Sequence, residues 1–203
     1  MSLLALALLV STPATSPAIS HSLSHQDGVS SFSYRFVELG LGQGDFDGLD
    51  SDDVRFGGSF PIGDSSYVFA SNTNYSMDVP SPASLDLSVL RIGFGLQVQD
   101  AVAGLAAYAS AAYADMEVDL TIPGLGSGTG SENGYALAGG FRMQASDTIE
   151  LGLGVELLEV DDADDTIVTA SGIYSLTERV GLGLSYESGD DFDCMMIGLR
   201  VYL

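Results

Sequence analysis

Through most of the chain after residue 31, large apolar side chains recur at every second position, and no other feature constrains the fold as much. Val54, Phe56, Phe60 and Ile62 alternate with Arg55, Gly57, Ser59 and Pro61. Ile149, Leu151, Leu153, Val155 and Leu157 alternate with Glu150, Gly152, Gly154 and Glu156, and Met195, Ile197, Leu199 and Val201 alternate with Met196, Gly198, Arg200 and Tyr202. A period of two puts each set on its own face of a β-strand, whereas a helical period would scatter both around the axis. The pattern predicts strands over 31–44, 52–62, 66–77, 84–98, 101–119, 132–144, 148–160, 165–175, 179–188 and 192–203. The expected fold is all-β, an antiparallel meander of ten strands, with eight as the alternative if 31–44 or 165–175 stays irregular. Parity slips near Phe36, Leu90 and Tyr113, which points to β-bulges or to residues beyond the hydrocarbon layer.

The connections alternate in kind. Tight polar turns fall at 61–66, 99–101, 144–148 and 176–179, and longer acidic or glycine-rich links at 42–53, 77–84, 119–132, 159–165 and 187–193. Alternate connections of a meander lie at the same end, so one end gathers the short turns and the other the long links. Transmembrane antiparallel β-barrels have this asymmetry, with short periplasmic turns, longer external loops and an even strand number.

A two-faced sheet can close around its apolar face, as in a soluble lipocalin-like barrel, or turn that face to lipid. The second face decides between them. It is mostly Gly, Ala and Ser, interrupted by Arg55, Arg91, Arg142, Arg200, Glu38, Glu150, Glu156 and Glu187. A soluble exterior carries mixed charge throughout; small residues with a few Arg and Glu suit a narrow lumen instead. An Arg on the lipid face costs about 2–4 kcal/mol at the bilayer midplane, so four of six Arg on one parity mark that side as the inside. Buried charges need partners, which makes these eight residues candidates for a lumenal ion-pair network, a selectivity constriction, or both. Barrels of this size leave little room beyond their own side chains. Tyr34, Phe36, Tyr67, Phe69, Tyr75, Phe94, Phe141 and Tyr186 sit mostly towards strand ends, as interfacial girdle residues do.

Composition removes other classes. The 203 residues carry 28 Asp plus Glu against six Arg and no Lys, a formal charge of −22. Binding nucleic acid needs a basic surface, and a chain that is 46% hydrophobic is too apolar to be disordered. The single cysteine, Cys194, excludes an intramolecular disulfide, and nothing basic beside it in sequence would activate its thiol. Residues 3–10, LLALALLV, followed by STPATSPA, read as a secretory signal over 1–18. The run is far shorter than the ~20 residues of a membrane-spanning helix. A polar tail over 19–30 then precedes the barrel, 31–203.

With these elements in place, SYRFVELGLGQGDFDG (33–48), RFGGSFPIGDSSYVFA (55–70), LRIGFGLQVQD (90–100) and the closing strand MMIGLRVYL (195–203) resemble the small, porin-like outer-membrane β-barrel proteins of Gram-negative bacteria. The resemblance spans nearly the whole chain. It implies residence in the bacterial outer membrane, lipid as the surrounding partner, and recognition of the last strand by the barrel-assembly machinery. Such proteins usually end in an aromatic residue; this chain ends in Leu203, with Tyr202 on the other parity.

Candidate chemistry is sparse. Asp45, Asp47, Asp50, Asp52, Asp161, Asp162, Asp164 and Asp165 supply carboxylate oxygens of the kind that Ca²⁺ or Mg²⁺ takes, although no EF-hand spacing is present, and the plainer reading is a solvated acidic rim with no cofactor. The glycine-rich 124–134 lacks the Gly-Lys-Ser/Thr ending of a phosphate loop. His21 and His25 fall in the polar tail, and no His follows them, so the His-dependent barrel enzymes are excluded as models. The expectation is a monomeric, non-enzymatic barrel with a structural or surface-interaction role, its acidic loops meeting ions, envelope partners or host surfaces. A narrow pore for small solutes or ions is the alternative.

Overall fold

The computed structural model describes residues 32–79, 83–102, 104–160 and 163–203. Ten strands follow in chain order: β1 (Phe36–Phe46), β2 (Leu49–Pro61), β3 (Ser66–Met77), β4 (Ser84–Val102), β5 (Leu105–Ile122), β6 (Gly126–Ser146), β7 (Ile149–Val160), β8 (Ala163–Thr177), β9 (Val180–Ser188) and β10 (Phe192–Tyr202). Each pairs antiparallel with its neighbours in sequence, and β10 returns to β1, closing the barrel. The eight-strand alternative fails, because 31–44 and 165–175 yield β1 and β8. Residues 1–18 and 19–30, read above as signal and tail, lie outside the described residues, as do Asp161 and Asp162.

The register shows how closure is achieved. Following paired residues from Leu39 in one direction gives Phe56, Asn72, Leu90, Asp115 and Asn133; in the other it gives Leu199, Leu182, Tyr174, Ile149 and Ser146. The two routes reach β6 at different levels, Asn133 near its middle and Ser146 at its end, so the strands are tilted steeply against the barrel axis, as a closed sheet requires. Pairing is uninterrupted at Phe36, Leu90 and Tyr113, so no bulge lies there. The irregularities fall at Val98/Val102, Gln144/Ser146 and Ser175/Thr177, beside the inner turns. The turn placed at 99–101 moves accordingly, since β4 runs on to Val102. At the outer end much of each of the links 42–53, 119–132, 159–165 and 187–193 is itself strand, whereas only the end residues Met77 and Ser84 of 77–84 are. The 42–53 stretch turns only at 47–48, where Asp47 (φ 50) and Gly48 (φ 84) adopt left-handed backbone and Asp45 Oδ1 accepts from the Gly48 amide at 2.9 Å.

Large apolar side chains point outward all around the wall. Ile197 lies between Leu41 and Leu184 across the ladder, and all three are more than half exposed. Leu153 stands exposed beside Phe141 in the same way. Soluble monomers seldom expose apolar patches beyond a few hundred Å². A closed ladder satisfies its own backbone groups, which is what hydrocarbon demands. The outward apolar belt therefore defines a transmembrane barrel and excludes the lipocalin arrangement, whose large apolar residues would point inward.

The aromatic girdle differs from expectation. Phe94, Phe141 and Tyr186 face outward, but Tyr34, Tyr67 and Tyr75 are buried inside, Phe69 packs against both interior apolar clusters, and Phe36 faces the lumen. The inward aromatics fill space beside lumenal Arg, a demand that strand-end position alone does not reveal. Towards the acidic end the girdle consists of Tyr113, Tyr135 and Tyr186, whose hydroxyls donate to Asp115 (3.0 Å), Glu159 and Asp193 (2.6 Å). Each ring thus lies on the apolar belt with its polar tip turned to the carboxylates above it.

Candidate functional site: the filled lumen and the acidic mouth

Among the described residues four ion pairs form, and together they take up all eight lumenal candidates. Two join neighbouring strands. Glu38 and Arg200 are direct partners across β1 and β10, with two hydrogen bonds of 2.6 and 2.9 Å; Arg142 of β6 grips Glu150 of β7 at 2.6 and 2.9 Å. The other two join strands that are not adjacent and so cross the interior. Arg55 of β2 forks onto Glu187 of β9 at 2.5 and 2.6 Å, while its Nε donates to Thr73 at 3.1 Å. Arg91 of β4 reaches Glu156 of β7 at 2.8 Å. Bidentate guanidinium–carboxylate contacts are the geometry in which such pairs are strongest. The parity of the sequence marks these residues as inward, but nothing in it says which Arg meets which Glu.

Below this belt the N-terminal stretch does something the alternation did not anticipate. Residues 32–35 were expected inside the first strand, yet they leave the ladder and turn into the inner mouth. Phe32 and Tyr34 are buried with Tyr67 and Ala106. Tyr34 and Tyr67 have ring centroids 4.3 Å apart, and the Arg142 guanidinium lies over both Phe32 (5.1 Å) and Tyr34 (4.6 Å). Gln99 donates to the Phe32 carbonyl at 3.1 Å and Ser59 to the Tyr34 carbonyl at 2.5 Å. The segment is thereby tied to the wall as a plug. Its one signal in the sequence is the pair of aromatics at Phe32 and Tyr34, ahead of the first glycine-spaced strand.

Above the belt a second group of side chains is buried inside the barrel. Leu158, Val160 and Ile167 form a buried cluster with Ala112, Ala114 and Ala136, and Phe192 and Met116 pack on it. Alongside, Phe46 stacks on Phe192 with centroids 5.2 Å apart and meets Tyr75 edge-to-face at 4.9 Å. Buried Cys194 donates its thiol hydrogen bond to Asp53 at 2.9 Å, and Asp53 also accepts from Ser51 at 2.8 Å. The ion pairs, Tyr108 and several serines face a cavity of about 380 Å³. The Tyr108 hydroxyl rests in a notch over Gly140 and Gly154: a β-carbon at Gly140 would lie 2.8 Å from it and equally close to the Gly154 α-carbon. Gly140→Val is accordingly expected to cost about 1–3 kcal/mol, the range for overpacking. A lower temperature of heat-induced gel shift, relative to the parent, would measure it.

At the acidic mouth, Asp52 accepts from Gln43 at 3.3 Å, Asp165 accepts from the Asp190 amide at 3.0 Å, and Asp45 caps its own turn. Among the described residues no three acidic, Cys or His side chains come together as a metal site. Asp47, Asp50 and Asp164 stand at the same rim.

No protein-family model matches the sequence, and no curated protein matches it. Solved structures do match the architecture. NanC porin superimposes with a TM-score of 0.51 at 12% identity over 82% of this chain and all of its own. Ail, the attachment invasion locus protein of Yersinia pestis, aligns at TM-score 0.47, 10% identity, 83% of this chain and 95% of its own. Neisserial surface protein A aligns at 0.46, 10%, 84% and 98%. The chain has the fold of the small bacterial outer-membrane β-barrels, and identities this low speak to fold alone.

Proposed function

We propose that the protein is a monomeric outer-membrane barrel, exported by a leader within 1–18, whose work is structural or surface-interactive rather than transport. The observation that carries this reading is the interior: four Arg–Glu pairs, two of them joining non-adjacent strands across it, with Phe32 and Tyr34 buried below them and apolar and aromatic side chains buried above. A conducting lumen needs a continuous aqueous path and charges free to meet a solute, and here the charges meet one another. The lumenal acids and bases that could serve catalysis are held in those pairs as well, and no enzymatic role is assigned. Lipid is the partner of the belt. The assembly machinery is the partner of β10, whose outward Met195, Ile197 and Leu199 keep the alternation that such recognition reads. The acidic rim gives no footing to nucleic acid and would meet ions, envelope partners or host surfaces.

The narrow-pore reading keeps one favourable observation, the 380 Å³ cavity. Planar bilayers separate the two. Purified protein is expected to show no stable unit conductance; reproducible unit currents that change with Arg91→Ala or Arg142→Ala would overturn the structural reading. Cell fractionation with the gel heat-shift assay tests residence, and recovery in a detergent-free soluble fraction would refute it.

A further inference from the structure

The barrel wall is not level at its acidic end. Ladder pairing between β6 and β7 stops at Gly134 and Val160, whereas pairing between β5 and β6 continues up to Ile122 and Gly126. The eight residues 126–133, GSGTGSEN, are therefore bonded to β5 on one side and, among the described residues, to no strand on the other, and all are exposed. Proteins usually blunt such an edge with Lys, Pro or a bulge; this one has none of these.

The two faces of this hairpin differ. On the parity that continues the lumenal side, Val118, Leu120 and Ile122 are exposed opposite Gly130, Gly128 and Gly126, and a β-carbon at Gly126, Gly128 or Gly130 would meet nothing within 4 Å. An apolar strip is thus laid bare with open space beside it. On the opposite parity lie Glu117 and Asp119, with small hydroxyl residues across from them and Asp164 near the base of the edge. An added strand would meet the carboxylates of Glu117 and Asp119 on one face, and on the other the apolar strip with Glu132 at its lower end.

We propose that the free edge of β6 takes up an extended segment of an extracellular partner protein in which basic and apolar residues alternate, bound by strand addition. Backbone hydrogen bonds supply affinity in this mode and alternate side chains supply specificity: here apolar residues over the glycines, beside Leu120 and Ile122, and Lys or Arg over the hydroxyls towards Glu117 and Asp119. The chain's own N-terminal stretch enters at the inner mouth, across the membrane from this edge. A second copy would bring its own acidic row against this one. A basic partner fits where those two do not. The proposal rests on the surface-interaction reading above and narrows it to one edge.

Full-length protein in nanodiscs, titrated at low salt with a short fluorescent peptide alternating lysine and valine, tests it. Saturable binding is expected, weakened about tenfold or more both by N-methylation of the peptide's alternate amides and by Glu117→Lys/Asp164→Lys in the protein. Amide protection should appear at 126–133. Binding that is indifferent to N-methylation would reduce the effect to charge attraction by the rim and overturn strand addition, as would no binding at all. Either failure leaves the bilayer result untouched, so loss of this edge as a site is distinguishable from loss of the non-transport reading.

Discussion

Glu187→Gln is expected to lower stability by about 3 kcal/mol, the lower end of the range for stranding one partner of a buried ion pair. The substitution keeps the shape of the side chain and removes its charge. Arg55 would then face the interior with a neutral amide and the Thr73 hydroxyl in place of a bidentate carboxylate. Glu187 is only 11% exposed at its side chain, so water offers little relief, although the adjoining cavity holds the cost below the top of the range. Glu38→Gln, whose side chain is 31% exposed beside Arg200, should cost clearly less. The double variant Arg55→Met/Glu187→Leu should recover most of the loss, because no uncompensated charge remains. Urea unfolding from lipid vesicles, followed by far-ultraviolet circular dichroism since the chain has no Trp, measures all three. Equal, small effects at Glu187 and Glu38 would show the interior to be wet and the pairs dispensable.

The second large effect concerns the outside. Ile197→Arg should cost about 2–4 kcal/mol and reduce the inserted fraction, because it sets a guanidinium in the hydrocarbon layer between Leu41 and Leu184. Leu120→Arg should cost almost nothing, although Leu120 is also an exposed leucine on a strand. It lies on the part of β5 above the level where β6 leaves β7, clear of the belt. The contrast is the informative quantity, since a soluble barrel would show no depth dependence. Comparing folded and unfolded bands after refolding into vesicles provides the measurement.

The two effects explain why some of the molecule was legible in the sequence and some was not. Arg55, Arg91, Arg142 and Arg200 could be assigned to one face because strand parity is local: each needs only its immediate neighbours. Their partners could not be assigned. Arg55 and Glu187 are 132 residues apart, and they meet because the sheet closes and carries β2 and β9 to facing positions. Tyr67, Phe69 and Tyr75 were misplaced for another reason: they share the inward parity of β3, whose outward parity carries Asn72 and Asn74, so neither face of that strand reads plainly as the apolar belt. The slips of parity near Phe36, Leu90 and Tyr113 come from large residues turned inward, such as Phe36 and Val89, and small ones turned outward, such as Ala109 and Ala111, on an unbroken ladder.

The sequence by itself determined the strand period, the antiparallel meander order, the inward parity of the eight lumenal Arg and Glu, and the gathering of acid at one end. All of these are written within a few residues at a time. Only the tertiary structure decided between ten strands and eight, the inward face of the β3 aromatics, the ion-pair partners, the inward turn of Phe32 and Tyr34, and the uneven rim at the edge of β6. Those depend on closure and tilt, which couple residues from opposite ends of the chain through a registry that no single strand contains.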